Sequence, residues 1–527
     1  IATFDPTLYD PTRLASTGSG FVQAGNVIPE YDLASVPNVS DSVLRSKDAN
    51  NFAPRVGFAY SPLDSNRLVF RGGYGIFYSR TSFQYITLNV IAPPTFVFGA
   101  RVAGVTEAGF IPVSNPFFPA PTQNQFPTFI PTVALSGTLF DPNIRTPYLQ
   151  QYNASVQYEL FRNYLVELAY VGTHGVNLFR QIGINQARLA SPANPVVNRV
   201  TGAVITTNTT ANAALRAPIQ GAGINNFFQN QSTAQSSYNS MQASLTKRFS
   251  NGLSFLASYT FAKSIDNASG QGGGPGTGGV LNPGAVGETS SILGNQLDNR
   301  ANRGVSDFDR THRFVLSGIY ALPTPAFARD SAIGRALLGN FQLGAIITAQ
   351  SGLPIDIVDS GAGSFYGLSG AVLSRPNFAP GATRETAMSN IPAGYYFNPL
   401  AFARPTVLAG AVIPSSGGTA VAGAAGTDIG AIGRNILRGP SQKNVDFSVI
   451  KRFPIDERRS IEFRSEFFNL FNQVNFANPI SDVNAVAASG GSLNATTGQI
   501  ITPGNFGRII STSNNPRLIQ FALKLNF

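Results

Sequence analysis

Apolar side chains recur at every second residue in segment after segment of this chain, and a period of two belongs to β-strands with one apolar face. The last segment is the clearest. From Leu518 onward, Ile519, Phe521, Leu523, Leu525 and Phe527 point one way, while Gln520, Ala522, Lys524 and Asn526 point the other. Ile461, Phe463 and Phe467 alternate with Glu462, Arg464 and Glu466. Val445, Phe447 and Val449 alternate with Asp446 and Ser448, and Phe255, Ala257, Tyr259 and Phe261 with Ser254, Ser258 and Thr260. Leu68, Phe70, Tyr74, Ile76 and Tyr78 alternate with Arg71, Gly73 and Gly75. The pattern predicts about eleven strands of membrane-crossing length. They lie near 53–61, 67–79, 149–161, 164–178, 238–249, 252–263, 311–321, 340–352, 443–453, 459–472 and 515–527.

The connections alternate in length. Short turns fall at Pro62 to Asn66, Arg162–Asn163, Ser250–Asn251 and Pro454 to Arg458, with a medium one from Leu322 to Gly339. Long ones fall near 80–148, 179–237, 264–310, 353–442 and 473–514. Tight turns at one end and long loops at the other are the signature of an outer-membrane barrel. Loops of this length inside a compact soluble domain would argue against the strands themselves. If Phe527 ends on the periplasmic side, every short turn is periplasmic and every long loop is outside. The first strand then runs inward, and residues 1–52 are expected to be mostly outer loop. A barrel with both termini in the periplasm needs an even strand count, so the expectation is a C-terminal part, residues 53–527, of a larger barrel. Its plug and N-terminal domain would be absent, and its first and last strands would be open edges. The stretches Gly270 to Gly279 and Ala409 to Gly433, rich in Gly and Ala, are read as mobile outer loops.

Composition narrows the alternatives. No apolar run approaches the ~18–20 residues of a transmembrane helix, so a membrane crossing requires a closed barrel. Charged residues are only 12% of the chain, too few for an ordinary soluble surface, and Asn, Gln, Ser and Thr take their place. The formal charge of +10 is scattered rather than clustered, which argues for a positively lined pore or loop surface and against nucleic acid. There is no cysteine, which rules out disulfides and thiolate metal sites. The N-terminus carries no basic and apolar leader pattern.

Several segments resemble a known family. Asn51-Phe-Ala-Pro-Arg-Val-Gly-Phe-Ala-Tyr60 and Val69-Phe-Arg-Gly-Gly-Tyr-Gly-Ile-Phe-Tyr78 are similar to the barrel of TonB-dependent outer-membrane receptors. Asp307-Phe-Asp-Arg-Thr-His-Arg-Phe-Val315 and Arg464-Ser-Glu-Phe-Phe-Asn-Leu-Phe-Asn-Gln-Val-Asn-Phe476 resemble its Oar-like subgroup, as does the ending with Phe506, Gly507 and Arg508. The resemblance runs from about residue 50 to the end of the chain. It implies a barrel of about 22 strands, an internal plug and a TonB box that contacts an energising inner-membrane complex. It also implies a carboxypeptidase-regulatory-like domain ahead of the plug.

Candidate residues fall into classes, each with a plainer reading beside it. Ile519, Phe521, Leu523, Leu525 and Phe527 read as an assembly signal offered by edge pairing to the barrel-insertion machinery, against an ordinary strand that ends on an aromatic. Tyr60, Tyr78, Tyr158, Tyr170 and Tyr259 read as an aromatic girdle at the lipid interface, with Tyr74, Tyr152, Tyr164 and Tyr320 beside them; the alternative is the core of a soluble sandwich. Arg71, Lys451, Glu462, Arg464 and Glu466 read as lumen-facing, more simply as charges paired across strands than as plug or substrate contacts. The cluster Asp298, Asn299, Arg303, Asp307, Asp309 and Arg310 lacks the Gly turn and terminal Glu of a calcium loop, and ion pairing that orders the loop base is the favoured reading. His174 and His312 do not have zinc-site spacing. Arg71-Gly-Gly-Tyr-Gly75 lies within a strand with no helix after it, so it is no phosphate cradle. No strand–turn–helix nucleophile elbow appears, and neither enzymatic activity nor a cofactor is expected.

The expected protein is all-β: an antiparallel transmembrane β-barrel in a bacterial outer membrane, monomeric. Its partners would be outer-membrane lipid, the assembly machinery, the TonB complex through the missing N-terminal part, and an unknown solute. Uptake of a large or scarce solute leads. The alternatives are a non-transport surface barrel (adhesin, signalling receptor or secretion factor) and a soluble β protein.

Overall fold

The computed structural model describes residues 2–4, 6, 9–15, 21–24, 38–39, 48–62, 67–79, 135–141, 143–269, 294–298, 300–368, 374–406, 425–456 and 458–527. Eleven strands form one antiparallel meander. They are β1 (Arg55–Tyr60), β2 (Leu68–Tyr78), β3 (Tyr148–Phe161), β4 (Tyr164–Gly183), β5 (Ala222–Ser250), β6 (Leu253–Asp266), β7 (His312–Ala321), β8 (Phe341–Gln350), β9 (Gln442–Pro454), β10 (Ser460–Phe468) and β11 (Leu518–Asn526). Each pairs with its neighbours in chain order, and β1 and β11 are the edges of that path. Gly304–Val305 adds to β6, and Leu135–Phe140 lies parallel beside the far part of β5.

The register keeps the two faces of the sheet apart. Ile519 lies opposite Phe467, then Phe447, Ala345, Gly318, Phe255, Lys247 and Tyr164 across seven strand pairs. One step along the strands, Gln520, Glu466, Ser448, Gly344, Ile319 and Ser254 form the next row. Directly opposed side chains share a face, so the first row belongs to a mainly apolar face and the second to a mainly polar one. A slip of one residue at any pair would exchange the two.

Turn chemistry holds this register. Asn251 (φ 51°) and Gly252 (φ 78°) are both left-handed, the two-residue hairpin turn whose twist matches the strands. The turn therefore sits one residue later than the sequence pattern placed it. Asn163 (φ 73°) serves the turn between β3 and β4. The connection from β7 to β8 holds a 3-10 turn, Ala326–Ala328, and a short helix, α1 (Ala332–Leu338). Glycine matters most at Gly172, where the ring of its cross-strand partner Tyr152 lies so close that a Cβ would come within 2.0 Å.

β5 and β4 run well past the predicted ends. The extra length of β5 includes Gln229, Asn230, Gln231, Ser232 and Thr233, a polar run with no alternation to read. It lies at the long-loop end of the sheet.

The apolar core lies in the long loops and not behind the sheet. Phe397, Phe402 and Phe506 are fully buried, with ring centroids 5.2–5.8 Å apart in edge-to-face contacts. Ile355, Ile357, Leu437, Val483 and Val486 pack with them. The loops between β8 and β9 and between β10 and β11 thus share one core, which corrects the reading of Ala409 to Gly433 as mobile throughout. Ile432 is buried in that core, and Ala431 N–H donates to Asn377 Oδ1 at 2.8 Å. Residues 409–424, Gly270 to Gly279 and most of 1–52 lie outside the described residues, although Ala15 is buried with Leu139, Ile219 and Phe227.

Two outcomes follow from this packing. Phe402→Ala is expected to destabilise the loop assembly by about 3–5 kcal/mol. Limited proteolysis should then cut within 353–441 and 473–514 while the strand signal in circular dichroism persists. Gly172→Val should displace the Tyr152 ring and lower the melting temperature, whereas Gly57→Val, at a roomier strand position, should do so much less.

Candidate functional site

The polar face carries the charges that the sequence assigned to a lumen, with one exception. Glu462, on β10, is almost fully covered by Arg452, at 2.9 Å, and by Arg464, and lies opposite Lys524 of β11. Glu466 shares this face with Gln520 and Ser448. Arg71 lies opposite Ser155 and donates to Gln157 Oε1. Lys451 is the exception. It sits opposite Phe341 and Phe463 on the apolar face, its Nζ 4.6 Å from the Phe341 ring centre and 4.9 Å from that of Phe453. Its amine donates to the Gly339 carbonyl at the end of α1. Position by position, the lysine follows the parity of Phe447 and Val449. A charge assigned to the polar face by residue type alone was misplaced, because a lysine can cap a turn carbonyl from the apolar side.

The five predicted girdle tyrosines all lie on the apolar face. Tyr60 and Tyr158 are near the short-turn end, and Arg67 stands over Tyr158. Tyr78 lies at the other end of its strand, 5.5 Å from Tyr148. Tyr170 and Tyr152 both donate to Asn239 Oδ1, at 2.7 and 2.9 Å, and Tyr259 Oη meets His312 Nδ1 at 2.7 Å. The hydroxyls thus find polar partners while the rings stay on the apolar face. In β11, Ile519, Phe521, Leu523 and Leu525 share that face and are exposed, and Phe527 lies just beyond the strand.

At the long-loop end, arginines tie separate loops together. Arg434 donates to Asp266 at 2.6 Å and to Asp307 at 2.7 Å, and its neighbour Asn435 donates to Asp307 at 2.6 Å and to the Val305 carbonyl at 2.6 Å. Arg438 reaches Asp309 at 2.6 Å and the Gly352 carbonyl at 2.9 Å. Arg375 pairs with Asp356 and Asn302. Arg404 grips Asp359 through two bonds of 2.9 Å and also reaches Asn484. Burial opposes the Arg434 charge, yet Asp307 and Asp266 outweigh it and hold the guanidinium above its ordinary value. Burial pushes Asp307 up, and the arginine it shares offsets this only in part. Burial likewise pushes Asp359 up against the pull of Arg404. Elsewhere in the loops, burial brings Arg216 down to about 10, where its partners are carbonyls of Arg188 and Phe365 and the Asn212 side chain.

Sequence reasoning found Asp307 and Asp309 but not their partners, more than a hundred residues away. A signal was present: the loop between β8 and β9 holds five arginines against four acidic residues, so it carries more cations than it can pair within itself. The asparagines of the segment 464–476 were also missed. Asn475 bonds both the N–H and the carbonyl of Lys443, each at 2.8 Å, and Asn472 accepts the Arg517 N–H at 2.9 Å. They clasp the loop to β9 and to the start of β11. Below the clasp is a recess of about 620 Å³ lined by Gln350, Asn444, Asp446, Asn515 and Gln520.

The sequence matches the model of the family described as "Outer membrane beta barrel domain" over residues 1–520. No curated protein matches the chain. Among solved structures, the outer membrane transporter YddB from Escherichia coli is similar at 10% identity and a TM-score of 0.40, over 90% of this chain and 40% of that one. The ferric enterobactin receptor PfeA from Pseudomonas aeruginosa is similar at 9% identity and a TM-score of 0.37, over 90% and 40%. The siderophore receptor PiuA from Acinetobacter baumannii is similar at 8% identity and a TM-score of 0.32, over 89% and 35%. The chain spans less than half the length of each of these three proteins. Family membership rests on the sequence model, which covers nearly the whole chain: this is a member of the outer membrane β-barrel domain family, and it resides in the outer membrane.

Proposed function

We propose that this chain is the C-terminal part of a TonB-dependent receptor of the Oar-like subgroup, which takes up a large or scarce solute through a plugged barrel of about 22 strands. The observation that carries the reading is the separation of a mainly apolar from a mainly polar face across eleven paired strands. In this reading the apolar face meets lipid and the polar face lines the lumen. The short turns are periplasmic and the long loops external. Solute is captured by the loop assembly and passes the row of Arg71, Glu462, Arg464 and Glu466 once the plug moves. Energy comes from the TonB complex through the N-terminal part of the whole protein. The tyrosines form the interfacial girdle, and β11 with Phe527 is the strand presented to the assembly machinery. The protein works as a monomer, without catalysis or a cofactor.

A non-transport surface barrel is the second reading, favoured by the size and internal core of the loop assembly. Planar-bilayer conductance of the full-length protein separates the two. A plugged receptor is expected to be nearly silent and to open only when denaturant releases the plug. A permanently open pore, or silence that denaturant never relieves, would contradict plugged uptake.

Capture by loops requires them to be held in place. Arg434→Met leaves two buried carboxylates without their shared partner, which is expected to destabilise the loop assembly by about 3–5 kcal/mol. Amide exchange should rise in 300–310 and 353–359 and stay unchanged in β7 and β8. Arg434→Lys, which keeps the charge and loses the fork, should fall between the two.

A further inference from the structure

The connection between β7 and β8 exposes an apolar surface at the short-turn end of the sheet. Phe327 is 82% exposed, Ile333 72% and Leu337 62%, and α1 buries none of its residues. Ile333 and Leu337 are four apart and lie on one side of the helix, with Arg335 on the opposite side. The helix is nonetheless well formed. Ser331 caps its start by accepting the Gly334 N–H at 3.1 Å, and Arg335 and Arg329 are anchored on the carbonyls of Arg329 and Thr324 at 2.6 and 2.8 Å. A defined helix whose apolar side is left largely exposed by the described residues needs a cover.

Its position identifies that cover. The carbonyl of Gly339, the helix C-cap, accepts from Lys451, and Lys451 stands on the apolar face between Phe341 and Phe453. The end of the helix is therefore stitched to the apolar side of the rim. Ile455, in the next short turn, is also exposed. The connection itself carries Arg329 and Arg335 against one acidic residue, Asp330. Exposed apolar side chains with cations in the same short segment match the boundary between acyl chains and phosphate headgroups. The short turn between β5 and β6 repeats the arrangement. Lys247-Arg248-Phe249 parallels Lys451-Arg452-Phe453, with Lys247 donating to the Ser250 and Leu253 carbonyls at 2.8 Å and Phe249 exposed.

We propose that α1 with Phe327 lies in the phospholipid leaflet at the short-turn end, as an interfacial anchor with apolar side chains among the acyl chains and arginines at the phosphates. The proposal rests on the reading that the apolar face meets lipid. The chain contains no tryptophan, so single-tryptophan variants report without background once any tryptophan elsewhere in the full-length protein is replaced by phenylalanine. Ile333→Trp, Phe327→Trp and, as a reference in the strand band, Leu168→Trp are placed in the full-length protein. Each is reconstituted in vesicles of phosphatidylethanolamine and phosphatidylglycerol containing brominated phospholipid, and heat-modifiable migration confirms folding. The expected result is blue-shifted emission at 333 and 327, quenched most by bromine near the headgroup, and quenching at 168 by deeper bromine. Quenching at 168 with acrylamide-accessible, unshifted emission at 333 and 327 would overturn the anchor and leave the barrel reading intact. Blue-shifted emission at 333 that brominated lipid does not quench would mean a protein partner covers the helix, and would also overturn it. Loss of lipid quenching at 168 would instead overturn the reading on which the proposal rests.

Discussion

In hydrocarbon, every backbone N–H and C=O needs a partner within the protein, and this requirement governs the rest of the molecule. A meander of long antiparallel strands meets it between neighbours, so the sheet needs no second layer to pack against. Side chains are then free to differ in polarity between the two faces. The period of two in the sequence is the direct record of that division. It also explains why a chain of this size places its apolar core elsewhere, among the long loops around Phe397, Phe402 and Phe506.

Charge follows the same division. Within the sheet, Glu462 sits between Arg452 and Arg464 on the polar face, where water can reach the arginines. In the loops, Arg434, Arg375 and Arg404 are buried or nearly so and are matched by aspartates: Arg375 and Arg404 by Asp356 and Asp359 of the same loop, Arg434 by Asp266 and Asp307 from outside it. Removing such charges from water is unfavourable, and ion pairs and added amide bonds offset much of that cost. One guanidinium shared by Asp266 and Asp307 fixes the ends of β6 and the approach to β7 to the segment before β9. Lys451 and Lys247 reverse the pattern: they stay on the apolar face near its rim because turn carbonyls and aromatic rings replace water.

The strands were legible because each crossing segment must alternate to satisfy its two faces. Phe463 between Glu462 and Arg464 leaves no other assignment. The far part of β5 was not legible, since Gln229 to Thr233 meets polar surroundings on both sides and no period survives. The loop core was hidden for a different reason. Phe402 and Phe506 are about a hundred residues apart, and nothing local in an Ala/Gly-rich context reveals that they touch. The polar site was legible in residue type and mostly in face; Lys451 failed because its parity was outweighed by its charge. The arginine partners of Asp307 and Asp309 depended on long-range closure that no spacing rule encodes.

The central claim is that the face of Ile461, Phe463 and Phe467 meets lipid and the face of Glu462, Arg464 and Glu466 meets water. The chain has no cysteine, so a nitroxide scan with single cysteines along β10, in reconstituted full-length protein with any cysteine elsewhere replaced by serine, tests it directly. The account predicts collision rates that alternate residue by residue, with oxygen favoured at 461, 463 and 467 and a polar nickel complex favoured at 462, 464 and 466. Rates without a period of two, or with the two sets exchanged, would contradict it.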